Sequence, residues 1–342
     1  MVDASASNVR VYYFGDSVEY KYLQIIKHLS MEYIPTNYVG ILRGLMFRRH
    51  GDRSLIVHLR YIQFHGYVTT VLLYGLLILV CKLRGARVVW TCHNTYEHDI
   101  PWLAFGDFMR WMLYTASSKV IVFHASLKNY LPQNASKAVV ANFGSYKDFI
   151  LDPDLDAHPE FLQSFRTWLK KMNRTSVDLV FIGEYKGRKN IEMLVEFARR
   201  NVDVAVLVVA HKASSPENCP SNLMLHNDSK IFGELDEVLR GEDVVGFVAH
   251  DNLSVPTTIH LYADYGVPIL GLDIEPISSF INDYDCGVTF NDLESLEPAF
   301  RSIRCGRDRF RSGMQRLSSE NTWGKSVEAH LQAFGFSQTE VP

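Results

Sequence analysis

Short runs of β-branched and other apolar residues alternate with helical patterns along the first half of the chain. Such alternation is typical of a parallel sheet with helices on both faces, so residues 1–150 are predicted to form a Rossmann-like α/β domain. The predicted strands are Val9–Phe14, Ser54–Leu59, Arg87–Cys92, Lys119–Phe123 and Ala138–Asn142, and the predicted helices are Val18–Leu29, Tyr67–Leu83 and Phe105–Thr115.

The same alternation resumes in the second half. Residues 151–176 begin rich in Asp and Pro and then turn helical, which is typical of a connection between domains. A second Rossmann-like domain is predicted over residues 177–320, and a last helix, Trp323–Phe334, within the terminal segment 321–342. The strands of the second domain are predicted at Asp178–Ile182, Val204–Ala210, Val244–Val248 and Pro268–Leu272, and its helices at Asn190–Arg200, Asp236–Leu239 and Thr257–Tyr265.

Composition excludes several classes of protein. With 47% hydrophobic and 12% aromatic residues among 342, the chain can fill two cores, which excludes disordered, collagen-like and coiled-coil proteins. The five cysteines have no CxxC spacing, which argues against a disulfide framework or a structural zinc site and favours a reducing compartment. Residues 1–8 are small and polar, unlike the apolar core of a signal peptide. A cytoplasmic protein is therefore expected.

The two halves of the chain differ in charge. Residues 1–150 contain 16 Lys and Arg against 9 Asp and Glu, whereas the remainder contains 19 against 29. The basic half favours contact with anionic lipid headgroups or a phosphorylated acceptor, although mutual attraction of the halves is an alternative. The apolar run Val68–Val80 is shorter than the roughly 20 residues of a membrane span. It predicts a buried crossover helix, and a helix lying on a membrane surface is the alternative.

Polar residues follow several predicted strands, at the carboxyl ends where parallel α/β sheets bind their ligands. The first cluster brings His93, Asn94, His98 and Asp99 onto one loop directly after a strand. These groups can deprotonate a hydroxyl or hydrogen-bond a sugar, whereas the HExxH spacing of a helical zinc site is absent. The alternative is that His93 only pins the loop by hydrogen bonds.

Two further clusters open helices of the second domain. Gly183–Asn190 places three cations and two glycines at a helix start, where backbone N–H groups and side chains favour phosphate. Asp251–Thr258 places hydroxyl groups at a second helix start, where they can cap the helix and where N–H groups can take a phosphate or ribose. Two anion sites in one domain predict a nucleoside diphosphate. Solvated surface charge and plain N-capping by Ser254 or Thr257 are the alternatives.

These motifs, in this order, resemble those of GT-B sugar-nucleotide glycosyltransferases, and among them the bacterial exopolysaccharide β-mannosyltransferases of the xanthan type. The resemblance runs from Gly15 to Phe334 and rests on the histidine-rich loop, GEYKGRKN, the Ser/Thr helix start before YGVPIL, and the late NTW helix. It implies two tandem Rossmann-like domains that face a cleft, the first binding the acceptor and the second the nucleotide sugar. It also implies that the terminal helix crosses back to the first domain, anchored by Trp323.

The resemblance implies catalytic and acceptor-binding roles for residues of the first domain. His93, Asn94 and His98 match the family's HN loop, and Asp99 stands where a glutamate is usual. Asp99 or His98 is expected to be the general base, and His93 to orient the donor sugar. The segment Phe143–Tyr146 stands in place of a PHGxY turn. The residues expected to face the acceptor are His58, Tyr61 and Asp16.

The resemblance also implies a donor site. Lys189 with Arg188 matches the basic pair that holds the donor diphosphate, and Glu184 replaces the usual arginine after the glycine. No metal or other cofactor is expected, because fixed cations and helix N-termini can hold the diphosphate. The residues expected to bind the donor are Lys189, Arg188, Ser254, Thr257, Thr258 and Asn94.

One departure from the pattern bears on the mechanism. Retaining relatives carry two glutamates at positions that are Leu253 and Leu261 here, which favours an inverting displacement. The expected enzyme moves a hexose, with mannose from GDP-mannose preferred by resemblance, to a lipid-linked oligosaccharide for bacterial surface polysaccharide. It is expected on the inner face of the cell membrane, peripherally bound to an anionic surface and without a nucleic-acid partner. The alternatives are a retaining UDP-sugar transferase and a non-catalytic GT-B protein that binds nucleotide or a partner.

Overall fold

The chain divides into two compact units, residues 1–143 with 322–342 and residues 144–321. Each unit holds a six-stranded sheet in which every strand pair is parallel. The α/β fold with two Rossmann-like sheets is thereby confirmed. The structure, a computed structural model, describes residues 9–14, 20–27, 31–47, 54–60, 62–93, 102–132, 135–147, 158–184, 189–211, 219–227, 233–251 and 253–336.

The first unit has the strand order β2-β1-β3-β4-β5-β6. Its strands are β1 (Val9–Phe14), β2 (Glu32–Thr36), β3 (Ser54–Leu59), β4 (Arg87–Thr91), β5 (Lys119–Val122) and β6 (Ala138–Val140). Its helices are α1 (Tyr20–Lys27), α2 (Tyr38–Met46), α3 (Tyr67–Leu83), α4 (Leu103–Ala116), a 3₁₀ turn (Ala125–Tyr130) and the terminal α12 (Trp323–Phe334).

The burial of the first sheet follows from its strand order. Central β1 is buried at five of six positions, because a parallel strand is covered by helices on both faces. Strand β2 lies at the edge and tolerates Pro35, whose missing N–H would break a ladder inside the sheet. The chain crosses from β2 over to β3, on the other side of β1. The order of the strands therefore reverses between β1 and β3, which is where such sheets bind ligands.

The second unit has the order β12-β11-β10-β7-β8-β9, with its reversal between β7 and β10. Its strands are β7 (Leu179–Glu184), β8 (Val206–His211), β9 (Leu223–His226), β10 (Val245–Val248), β11 (Ile269–Leu272) and β12 (Gly287–Phe290). Its helices are α5 (Pro159–Lys171), α6 (Ile191–Arg200), α7 (Leu235–Leu239), α8 (Thr258–Asp264), α9 (Ile277–Tyr284), α10 (Leu293–Cys305) and α11 (Arg307–Glu320).

The core of the second unit is packed closely around the strands at the reversal. Phe181 of β7, Phe247 of β10 and Phe290 of β12 belong to one buried apolar cluster. A side chain at Gly246 would lie 2.5 Å from the Tyr262 ring, so glycine lets α8 pack directly on β10. The Tyr262 hydroxyl donates to the Val180 carbonyl at 3.1 Å, which ties α8 to β7 as well.

Several elements were not predicted from the sequence. The pair β2 and α2 was missed, so β3 is the third strand of its unit and not the second. In the second unit β9 was missed, as were the elements α9, β12, α10 and α11. Strands β9 and β12 are both edge strands of four residues, too short to give a clear alternation.

Helix α3 is only partly the buried crossover helix that its sequence predicts. It connects β3 to β4, and Thr70, Tyr74, Leu77 and Cys81 are buried on one face. Large apolar residues on its other face are exposed. No helix in the described part of the chain has the length and apolar character needed to cross a membrane.

Candidate functional site

Two described residues of the second unit, Lys189 of the predicted anion site and His250, lie at the strand reversal near the carboxyl ends of β7 and β10. Lys189 follows the loop after β7, and His250 follows β10. The Lys189 Nζ atom lies 3.0 Å from His250 Nδ1. An ammonium group can only donate, so Nδ1 accepts and the imidazole is neutral, with its proton on Nε2. The reversal point therefore carries a cation held in place by a histidine.

Asn190 explains how the chain holds Lys189 at this edge. It is the N-cap residue of α6 and has a left-handed backbone (φ 51°, ψ 36°), which asparagine tolerates better than most residues. Its side chain makes no capping bond and instead donates to the Ala249 carbonyl at 2.9 Å. The start of α6 is thus fixed to the segment after β10. Arg188 and the side chain of Glu184 lie outside the described residues.

The helix start after β10 differs from the predicted N-cap. Thr257 occupies the N-cap position of α8, but its side chain makes no capping hydrogen bond, so the alternative that Thr257 is a plain N-cap is wrong. Ser254 is buried, and Thr257 and Thr258 are half-buried. Leu253 and Leu261 are both buried, so neither position presents a polar group to a ligand.

Asp264 at the end of α8 binds the first residues of the second unit. Its Oδ2 atom accepts the backbone N–H of Tyr146 at 2.7 Å and of Lys147 at 3.1 Å, and Oδ1 accepts the Ser318 hydroxyl at 3.0 Å. Burial raises the pKa of this carboxyl although these bonds oppose the rise. Within the second unit, Tyr146 and Lys147, at the end of the segment that stands in place of the PHGxY turn, are therefore held against α8.

In the first unit, His93 lies two residues after β4. Its Nε2 atom is 2.7 Å from the hydroxyl of Tyr22, a fully buried residue of α1. Its ring also packs on Phe123, with centroids 4.9 Å apart. His93 is therefore held by a hydrogen bond and a ring contact. The other members of the histidine-rich loop, Asn94, His98 and Asp99, lie outside the described residues.

A second histidine, His58, lies at the strand reversal of the first unit. Its Nδ1 is 2.6 Å from the Tyr33 hydroxyl and its Nε2 is 2.7 Å from the Thr91 hydroxyl. Burial is the main reason why the pKa of His58 lies well below its usual value, with His330 and Arg60 adding to the effect. The side chain is fully buried and connects three elements inside the unit. Its contact with an acceptor stays a prediction.

Arg60 was not predicted from the sequence as a site residue, although it directly follows β3. It is almost fully buried, and its guanidinium lies over the rings of Tyr13 and Tyr22 at 4.8 and 4.5 Å from their centroids. The cation therefore packs on the same tyrosine that binds His93. Tyr61 and Asp16, the other expected acceptor residues, lie outside the described residues.

The terminal helix α12 completes the first unit. Thr322 caps it by accepting the Lys325 N–H at 3.3 Å, and Trp323 packs near Phe143 with centroids 6.4 Å apart. Further along, His330 is fully buried and its ring centroid is 6.1 Å from that of His58. The Arg87 guanidinium donates to the carbonyl of the last residue of α12. The helix thus packs against β4, β5 and β6 and reaches His58 of β3 through the His330 ring.

His250 was also missed from the sequence. The cluster singled out after β10 began one residue later, at Asp251, although His250 lies only two residues after that strand, near the carboxyl end where ligands bind. Among the described residues, no three of His, Cys, Asp and Glu come together as a possible metal site.

Comparison with known proteins identifies the fold. No family model matches this chain, and no curated protein sequence matches it. HepE from Anabaena, solved with UDP and glucose, superimposes with a TM-score of 0.66 at 8% identity over 95% of this chain and 99% of its own. A glycosyltransferase from Rickettsia africae gives 0.64 at 16% identity over 97% and 100%. Sucrose-phosphate synthase from Thermosynechococcus elongatus gives 0.65 at 11% identity over 96% and 98%. At these identities the likeness shows the fold, which is that of GT-B glycosyltransferases.

Proposed function

We propose that this protein is a glycosyltransferase that moves a sugar from a nucleoside diphosphate to an acceptor hydroxyl. The observation that carries the proposal is the contact of Lys189 with His250 at the strand reversal of the second unit. A fixed cation at that point, next to the N-terminus of α6, suits the diphosphate of a nucleotide sugar. The fold it shares with glycosyltransferases supports the same proposal, and HepE has been solved with UDP-glucose.

In the proposed donor site, cationic and hydrogen-bonding residues of the chain balance the negative charge of the diphosphate. Lys189 would bind the diphosphate and stabilise the negative charge that develops as the sugar leaves. Arg188, Asn94 and the hydroxyl groups of Ser254, Thr257 and Thr258 are proposed as further donor contacts from the sequence resemblance. We propose that donor binding and transfer require no metal or other cofactor.

The proposed reaction is an inverting displacement at the anomeric carbon. A base takes the proton of the acceptor hydroxyl, the acceptor oxygen bonds to that carbon, and the bond to the diphosphate breaks. Asp99 or His98 is the proposed base, and His93, held by Tyr22, would orient the donor sugar. The buried Leu253 and Leu261, in place of two acidic residues of retaining relatives, support the inverting route.

The finer proposal names the substrates and the partner surface. By resemblance, the donor is GDP-mannose and the acceptor a lipid-linked oligosaccharide of bacterial surface polysaccharide synthesis. The protein would then work at the inner face of the cell membrane, bound peripherally to anionic lipid. A UDP-sugar donor is the second candidate, because HepE was solved with UDP-glucose.

The direct test is to incubate the protein with a panel of GDP- and UDP-sugars and to measure release of the nucleoside diphosphate. Slow hydrolysis of one donor, faster with a membrane lipid extract that contains acceptor, is expected. Binding of a nucleotide sugar without release or transfer would favour a non-catalytic GT-B protein. Absence of both binding and release would contradict the proposal.

A further inference from the structure

The outward side of α3 has the composition of a buried surface. The side chains Val68, Leu72, Leu76, Leu79 and Leu83 are between 49% and 75% exposed. At 100° per residue they fall within an arc of about 80°, roughly opposite the arc of the buried residues. No charged residue occurs in this helix before Lys82. A helix that packs on a sheet with one face and meets water with the other should carry polar residues on the outer arc. The apolar outer arc of α3 therefore indicates a surface that binds something other than water.

Aromatic residues of α4 extend this surface. Trp102, Phe108 and Trp111 are all more than 40% exposed. Trp102 contacts Tyr67 at the start of α3, with centroids 6.0 Å apart, and Phe108 stacks near Trp111 at 6.2 Å. We call the exposed arc of α3 together with these three residues the outer apolar face. Tryptophan and tyrosine are the residues enriched where proteins meet the headgroup region of a bilayer.

The charges beside the outer apolar face are almost all positive. Helices α2, α3 and α4 with their C-cap residues contain three cations that are exposed or half-buried, Arg43, Lys82 and Arg84, and a fourth, Arg110, that is buried. Their only carboxylate is Asp107, which is paired with Arg110. In a symmetric dimer these cations would face one another, whereas an anionic lipid surface provides the opposite charge.

We propose that the outer apolar face inserts into the interfacial layer of an anionic bilayer, with α3 lying flat. From Val68 to Leu83 the helix runs about 22 Å, less than the roughly 30 Å of the hydrocarbon core, so it can lie in the interface but not span it. This inference deepens the proposed function and rests on it, because the lipid-linked acceptor is part of that proposal. Helix α3 follows β3 and therefore begins on the side of the sheet where the parallel strands end and where His93 and Arg60 lie. A flat α3 would bring this edge of the sheet close to the membrane surface.

The test measures binding to vesicles of phosphatidylcholine with and without phosphatidylglycerol. The double variant Leu72→Gln/Leu79→Gln removes two exposed apolar side chains, and we expect it to weaken binding by about tenfold or more. Lys82→Gln should weaken binding to phosphatidylglycerol vesicles about fivefold and leave binding to neutral vesicles unchanged. The matched control Val202→Gln replaces an apolar residue of the second unit that is 67% exposed, and it should bind as wild type does.

Three outcomes would overturn the proposal. The first is that wild type binds neither vesicle type, and the second is that the double variant binds as tightly as wild type. The third is that wild type is a dimer and the double variant a monomer. The last result, read by sedimentation, would assign the face to a second copy. Calorimetric binding of nucleotide sugars and the melting temperature should be unchanged in every variant. If wild type binds no nucleotide sugar, the proposed function is contradicted, but the vesicle measurements still decide whether the outer apolar face binds lipid.

Discussion

The Nζ atom of Lys189 and the Nδ1 atom of His250 lie 3.0 Å apart and join the two strand ends between which the second sheet reverses. Lys189 lies five residues after β7 and His250 two residues after β10, and the two residues are 61 positions apart in the sequence. Since the lysine must be the donor, the imidazole is neutral and fixes the direction of the ammonium group. His250 is therefore a positioning residue for the proposed diphosphate site.

This relationship predicts that the effects of the two residues are not additive. His250→Ala should weaken nucleotide-sugar binding about three- to tenfold, because Lys189 loses its partner. In a Lys189→Ala background the same change should cost less than about twofold. Calorimetry on the four proteins checks this, with Lys170→Ala, at an exposed residue of the same unit, as the control. Additive losses would mean that His250 contacts the donor by itself.

A second prediction concerns stability against pH in the first unit. Burial lowers the pKa of His330 to about 4. The unfolded chain takes up a proton near pH 6.5, and the folded one does not until about pH 4. The free energy of unfolding should therefore fall as pH is lowered between these values, by about 3 kcal/mol in total. The lowered pKa of His58 acts in the same direction.

His330→Leu should remove this part of the pH dependence and lower stability at pH 7.5 by only about 1 kcal/mol, because it removes the Nδ1–H bond to the Ser326 carbonyl at 2.7 Å, whereas Nε2 is buried with no partner among the described residues. Urea unfolding followed by tryptophan fluorescence reports on this unit, which holds Trp90, Trp102, Trp111 and Trp323 of the five tryptophans. An unchanged slope of stability against pH in the variant would contradict the assignment.

The alternation of strands and helices predicted the fold class because central parallel strands are buried on both faces and read as apolar runs. The boundaries of β1, β3, α3 and α12 agree with the structure residue for residue. The missed elements have weaker patterns. Strand β2 contains Pro35 and two exposed positions, since an edge strand is covered less. Its sequence therefore carries little of the apolar signal on which the prediction depends.

The candidate site was predictable only where it follows a strand. His93 was singled out because it follows a buried strand, and Lys189 because it lies at the helix start after another strand. The structure has His93 two residues after β4 and Lys189 two residues before α6. Their partners could not be found in this way. Tyr22 lies inside α1 and His330 inside the terminal helix, and only the folded sheet brings them to His93 and His58. Contacts between residues so far apart in sequence leave no local pattern.

The buried partner of His93 gives a third prediction. Tyr22→Phe removes the hydroxyl that lies 2.7 Å from His93 Nε2 and should lower the free energy of unfolding by about 1 kcal/mol. If His93 orients the donor sugar, turnover should fall as well. Tyr130→Phe, at an exposed tyrosine of the same unit, is the control. Stability and turnover both equal to wild type would show that the bond has no role.

A fourth prediction concerns the base, whose candidates lie outside the described residues. Asp99→Asn or His98→Ala should lower turnover by about 10²–10⁴-fold and leave donor affinity almost unchanged, because a base acts on the acceptor hydroxyl. His93→Ala should reduce donor binding too. The anomeric configuration of the product, read by NMR, is the second measurement. Near-normal turnover in both base variants with a retained configuration would replace the inverting mechanism by the retaining one.

The proposed function depends on the second unit binding a nucleoside diphosphate sugar through Lys189. Isothermal calorimetry of GDP- and UDP-sugars with wild type, Lys189→Ala and the control Lys170→Ala, an exposed lysine of the same unit, tests it most directly. Loss of a charge-assisted contact of about 1.5–3 kcal/mol should weaken binding about ten- to hundredfold in Lys189→Ala and leave Lys170→Ala unchanged. Equal affinity of Lys189→Ala and wild type, or no binding of any nucleotide sugar to wild type, would contradict the claim.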